Sequence, residues 1–186
     1  MAKLLTFLLF LLVTTSFGQT DNKQNCKIEF YLLKSVKPNL DTTSKLRGSF
    51  AVSKADLEDT AFIQDHEILG YNFRKDTARS KGLNFITIQQ SFEVALDVTK
   101  KINSLNISLS QGRQFALVVN GTIVYSGYFW NILSSFGCDG ITAVAIGTKI
   151  DISRKLPDYD SVFNSEDPIQ SKVLMNCLLK TNRLRR

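Results

Sequence analysis

Apolar positions along this chain recur with two different periods. In residues 27–34 (KIEFYLLK), Ile28, Phe30 and Leu32 alternate with other residues, the pattern of a strand with one buried side. Shorter extended runs are predicted at 48–52, 85–88, 141–146 and Lys149–Ser153, and residues 61–71 also read as extended. From Ser91 the spacing lengthens. Phe92, Val94, Ala95, Val98 and Ile102 recur as on one face of a helix, so an amphipathic helix is predicted over 91–105. Residues 128–136 are apolar and partly helical in pattern. A second helix of about three to four turns follows Pro168, with Ile169, Val173, Leu174, Cys177 and Leu178 on one face.

Turn and cap signals divide these runs. Asn120-Gly121 separates two β-rich segments, 114–119 and 122–125, and a two-residue Asn-Gly loop is the preferred type I′ hairpin turn. Ser53 with Asp56 three residues on is a cap for a brief helical turn over 54–59. The basic and polar stretch 73–82 reads as a loop, and 156–167 as a polar linker. Strands, a hairpin and helices in this order predict a single α+β domain, a mostly antiparallel sheet with helices packed on one face.

The first eighteen residues have a separate character. Lys3 is followed by an apolar run, 4–13, broken only by Thr6, and Ser16 and Gly18 supply small residues before Gln19. This is the layout of a secretory signal peptide (1–18) cleaved near Gly18/Gln19. The run is about half of the ~20 apolar residues a spanning helix requires, and no later segment of the mature chain is longer. A polar leader, 19–26, would then open a periplasmic or secreted protein with no transmembrane segment.

Composition narrows the chemistry. The 186 residues contain one histidine, His66, and three cysteines, Cys26, Cys138 and Cys177. One imidazole excludes a His-rich metal site and any mechanism that needs two. In an oxidising compartment, three cysteines mean one disulfide and one odd thiol, with all three pairings open. The formal charge is +6; loss of Lys3 with the signal leaves one fewer than the 23 basic residues against 17 acidic ones. Such an excess suits acidic partners or anionic surfaces. The basic residues are scattered, which argues against a nucleic-acid partner. The tail Lys180, Arg183, Arg185 and Arg186 reads as a solvated helix end.

Motifs for catalysis are missing. The chain has no GxGxxG, Walker loop, HExxH or G-x-S-x-G. The acids Asp56, Glu58, Asp59, Asp65 and Glu67 lack the spacing of a paired-carboxylate or calcium site and read as a solvated face. No enzyme, metal or cofactor is expected.

Three segments taken in order look like a known arrangement. They are 112–121 (GRQFALVVNG), the extended run 122–127 (TIVYSG) and 137–143 (GCDGITA). With Ile28-Glu29-Phe30 upstream, Asp56-Leu57 before Ala61, and 85–88 followed by 95–99, this set resembles the head subdomain in the first periplasmic domain of SecD and SecDF, accessory subunits of the bacterial protein-export translocase. The resemblance covers 27–146 and leaves 147–186 as a C-terminal extension with a strand and a terminal helix. Gly127 stands where that family usually has Pro, and Ala143 where it has Gly. The base subdomain and membrane helices of the family have no counterpart here, so its motor function does not carry over. What the resemblance implies is a fold and an affinity for extended or unfolded polypeptide.

The densest aromatic cluster is Tyr125, Tyr128, Phe129 and Trp130. Three consecutive aromatic side chains cannot all enter one core, so at least one is expected at the surface as an anchor for a partner. An exposed edge strand would offer a second, sequence-tolerant way to bind an extended chain. The expected function is therefore non-enzymatic binding of protein or extended polypeptide outside the cytoplasm. The alternative is a periplasmic inhibitor or immunity-type protein that blocks one specific partner.

Overall fold

A computed structural model describes residues 26–40, 49–80, 83–154 and 171–185, with the backbone alone for 75–80 and 83–88. The signal segment 1–18, the leader as far as residue 25, Gly48, the linker 156–167, Pro168, Ile169 and Arg186 lie outside the described residues.

The centre of the sheet is a hairpin of β4 (Arg113–Val119) and β5 (Thr122–Phe129). Its turn residues Asn120 and Gly121 have φ of +50° and +75°, the left-handed region that a type I′ turn requires at both positions. The Asn120 side chain reaches back to β1 (Ile28–Leu32): its Oδ1 accepts the Lys27 N–H at 2.8 Å. β1 runs antiparallel along β4, from Ile28 opposite Val119 to Leu32 opposite Phe115. β6 (Thr142–Ile146) joins β5 in parallel, and β7 (Lys149–Ser153) returns antiparallel to it. β7 also pairs with β3 (Leu83–Val94), which forms a long hairpin with β2 (Ile68–Ser80). β8 (Leu184–Arg185) lies parallel on β2. The eight strands stand in the order β1-β4-β5-β6-β7-β3-β2-β8. Among the described residues there are two α-helices, α1 (Leu96–Asn103) and α2 (Lys172–Lys180). The fold is thus mixed α and β around a mostly antiparallel sheet.

Burial on both faces explains the sequence of β4, in which every residue from Gln114 to Val119 is buried. Alternation sends Phe115, Leu117 and Val119 into the larger cluster, with Ile28, Phe30 and Leu32 of β1. Both helices contribute to this cluster, α1 through Val98 and Ile102 and α2 through Leu174, Cys177 and Leu178. Ala116 and Val118 enter a smaller cluster, closed by Phe50 and Leu57.

Several elements differ from the expectation. The helix predicted from Ser91 begins at Leu96, because Phe92 and Val94 belong to β3 and are buried by strand alternation. The apolar positions of a strand end and of the following helix run together without a break in the sequence. Residues 73–80, read as a loop, are strand, specified by register with β3 and not by an apolar alternation of their own. Residues 128–129 complete β5 in place of a helical start. The extended run near residue 50 is no strand, although Phe50 is buried. α2 is shorter than predicted, and Val173 is exposed while Leu174, Cys177 and Leu178 are not.

The basic tail is a solvated helix end only in part: Lys180 and Arg185 are exposed, whereas Arg183 is not. Arg183 is 12% exposed and ion-pairs with Asp65 at 2.8 Å. Its guanidinium also donates to the carbonyl oxygens of Cys26 (3.0 Å), Asp65 (3.2 Å) and Ile68 (3.4 Å). Beside it Cys26 and Cys177 form a disulfide, which ties the start of β1 to α2. Cys138 is a buried thiol outside the disulfide, in the smaller core, where its Sγ donates to the Gly140 carbonyl at 3.7 Å. The segment after 146 is built into the same sheet, since β7 stands between β6 and β3.

Candidate functional site

None of the four aromatic residues put forward as surface anchors is at the surface. Tyr125, Tyr128, Phe129 and Trp130 are all 5% exposed or less. The expectation assumed one core, whereas β5 separates two. Tyr125 and Phe129 point into the larger cluster, where Phe129 stacks at 4.7 Å from Phe115. Tyr128 and Trp130 enter the smaller one, where Tyr128 meets Phe50 edge-on at 5.0 Å. Consecutive aromatics are therefore buried on opposite faces of one strand. The hydroxyl of Tyr128 donates to Asn39 Oδ1 at 3.1 Å, and Gln114 beside it accepts the Lys37 N–H at 2.7 Å and donates to the Lys37 carbonyl at 2.9 Å. These polar groups fix the 35–39 loop.

The acidic residues are each engaged with a base. Asp56 pairs with Lys37, Glu58 with Arg113 at 3.2 Å, Asp59 with Lys34 at 2.8 Å, Asp65 with Arg183 and Glu67 with Lys101 at 4.0 Å. Lys37, with the Ser53 N–H and hydroxyl, holds the Asp56 carboxyl down at about 2. The same kind of contact with Lys34 lowers Asp59. Ion pairs between separate chain segments are a structural arrangement, and among the described residues no cluster of His, Cys, Asp or Glu has the makings of a metal site.

The sheet edges are more informative. β1, at one end, is covered: Phe30 exchanges backbone hydrogen bonds with Phe62 and Ile63, and the Leu32 carbonyl accepts the Glu58 N–H at 2.9 Å. At the other end β8 covers β2 only at Tyr71 and Asn72. β7 likewise pairs with β3 only from Gln90 to Glu93. The β2–β3 hairpin consequently extends beyond its neighbours, with Phe73 to Ser80 paired only to β3 among the described residues. Eight residues of strand make an arm about 25 Å long.

No protein-family model matches this chain, and no curated protein matches it. The site is accordingly read from its own geometry.

Backbone direction along the arm follows from two hydrogen bonds at its base. The Tyr71 N–H donates outward to the Arg183 carbonyl at 2.7 Å, and the Val94 N–H donates outward to the Thr148 carbonyl at 2.9 Å. In an antiparallel ladder, inward and outward pairs alternate. Phe73, Lys75, Thr77 and Arg79 therefore present N–H and C=O to the outer edge of β2, while Arg74, Asp76 and Ala78 bond to β3.

A second surface feature is apolar. Leu109, Ile132, Leu133 and Phe136 are exposed on two loops joined by the Asn131 side-chain amide, which donates to the Ile107 carbonyl at 3.3 Å. A cleft of about 260 Å³ between Leu33, Val36, Ile107, Gln114 and Tyr128 lies beside the first of these loops. The expected aromatic anchors missed this group because its members, three aliphatic residues and Phe136, are scattered outside the densest aromatic cluster. The basic and mostly polar run 73–82 gave no strand signal either; only its place before the 85–88 strand hinted at a hairpin.

Proposed function

We propose that this chain is a non-enzymatic, periplasmic or secreted domain that binds extended polypeptide by strand addition to the outer edge of β2. The observation that carries this reading is the row of outward backbone groups at Phe73, Lys75, Thr77 and Arg79, directly beyond β8. β8 is itself a strand taken up on that edge, and it supplies the geometry a partner strand would continue. Strand addition draws its affinity from main-chain hydrogen bonds and so tolerates many sequences. The resemblance of 27–146 to the SecD and SecDF head points to the same class of ligand. The signal-like 1–18 segment and the Cys26–Cys177 bond support an oxidising compartment.

Proline substitution tests the edge directly. Thr77→Pro removes an outward N–H and leaves the bonds to β3 intact, since proline is tolerated on an edge strand. Asp76→Pro removes an inward one and serves as the control for loss of the arm. Titrated with short extended peptides of acidic, basic and neutral composition, the native chain should bind at least one class, and Thr77→Pro should lose that binding while its amide spectrum keeps the β2–β3 cross-strand contacts. Unchanged binding by Thr77→Pro would rule out the β2 edge.

The alternative, an inhibitor or immunity-type protein with a single partner, is favoured by one observation. The exposed Leu109, Ile132, Leu133 and Phe136 group is apolar and irregular, suited to one shaped surface and not to extended chains in general. Binding lost by Leu133→Asp and kept by Thr77→Pro would select it.

A further inference from the structure

Sequence 73–90 carries four cations, Arg74, Lys75, Arg79 and Lys81, against one acid, Asp76. This excess of three is half of the formal charge of +6, gathered in about a tenth of the 186 residues. Its placement is as uneven as its amount. Tyr71 is buried in the larger core and Phe73 packs against it. Strand alternation puts Lys75, Thr77 and Arg79 on the same face. Register then places Ile88 opposite Lys75, Ile86 opposite Thr77 and Asn84 opposite Arg79. That face of the arm thus holds two cations and two isoleucines and no acid, while Asp76 belongs to the other face.

We infer that the strand taken up by this edge is an acidic one, an extended segment with Asp or Glu at alternate positions. The inference rests on the strand-addition reading and names its ligand. A strand lying beside β2 puts every second side chain next to Lys75 and Arg79 on the shared face. Opposite charges on neighbouring strands stabilise such pairing and like charges oppose it. The two cations are two positions apart from Thr77 on either side, so they match acids at alternating and not consecutive positions. Edge lysines also serve in many sheets only to discourage self-pairing, and the experiment must separate that role from ligand choice.

Three short peptides alternating Thr with Glu, Ser or Lys are titrated against the full chain, with Trp130 emission as the check that the core remains folded. The Thr-Glu peptide should bind about tenfold more tightly than Thr-Ser, the product of two modest charge pairs, and Thr-Lys least of all. The preference should shrink as salt is raised. Lys75→Gln with Arg79→Gln should level the three affinities, and Lys75→Glu with Arg79→Glu should reverse their order. Equal binding of all three peptides by the native chain would overturn the acidic ligand and leave strand addition standing, the result expected of cations that merely guard the edge. Binding of none would overturn both. Charge-dependent binding to phosphatidylglycerol vesicles, with no preference for Thr-Glu, would replace a polypeptide strand by a lipid surface and overturn the inference as well.

Discussion

A methyl group added at Gly127 would lie 2.5 Å from the carbonyl oxygen of Ile141. That oxygen already accepts the Tyr128 N–H at 2.8 Å, the bond that starts the parallel contact between β5 and β6. The obstruction is backbone and has no rotamer into which it can move. Gly70 differs: there the added methyl would meet the carboxylate tip of Glu93, which can swing aside. Gly127→Ala should lower unfolding free energy by about 1–3 kcal/mol, the range for overpacking, and Gly70→Ala by less, both read by urea denaturation. The sequence marked Gly127 only as a departure from the proline of the SecD-like pattern. Its physical role depends on the backbone of Ile141 beside β6, a neighbour in the sheet and not in the sequence, so nothing adjacent in sequence reports it.

At the scale of elements, strands with an apolar alternation of their own were legible and those specified by a partner were not. β1, β4, β5 and β6 each bury a side that their residues declare. β2 past Phe73 declares none, and its identity as strand comes from seven paired positions against β3, Arg74 to Ser80. The role of Arg183 was illegible for a related reason: it is recognised by three backbone carbonyls and one carboxylate, and carbonyl acceptors carry no signature in residue type. The same tail carries β8 from the end of α2 to the sheet edge. Replacing both Cys26 and Cys177 by Ser should cost about 2–5 kcal/mol, as loss of a native disulfide does in small secreted domains. Hydrogen exchange gives the sharper reading. The Tyr71 amide, bonded to Arg183, should lose protection in that variant well before the amides of β4.

For the whole molecule, the decisive fact invisible in the sequence is that the sheet is covered twice. At least one of Tyr128, Phe129 and Trp130 was expected outside because a single core cannot accept three neighbours, and a second core accepts Tyr128 and Trp130. The cover over that face is Phe50 and Leu57 from a region with little regular structure, which hydrophobic periodicity could not have assigned. The disulfide, described above as a tie between β1 and α2, has a further consequence for how the chain reaches this state. Its cysteines are 151 positions apart, β1 must wait for β4, and β7 must enter between strands already made. Folding dominated by such distant pairings is slow. Throughout that delay Cys138 is closer along the chain to Cys26 than Cys177 is. A Cys26–Cys138 bond would compete with the native one during oxidative refolding, and burial of Cys138 in the smaller core would end that competition. Oxidative refolding of a Cys138→Ala variant should proceed with a higher yield of the Cys26–Cys177 form than the native chain shows, measured by peptide mapping under non-reducing conditions. The thiol left outside the disulfide would then govern how much of the chain reaches the right pairing.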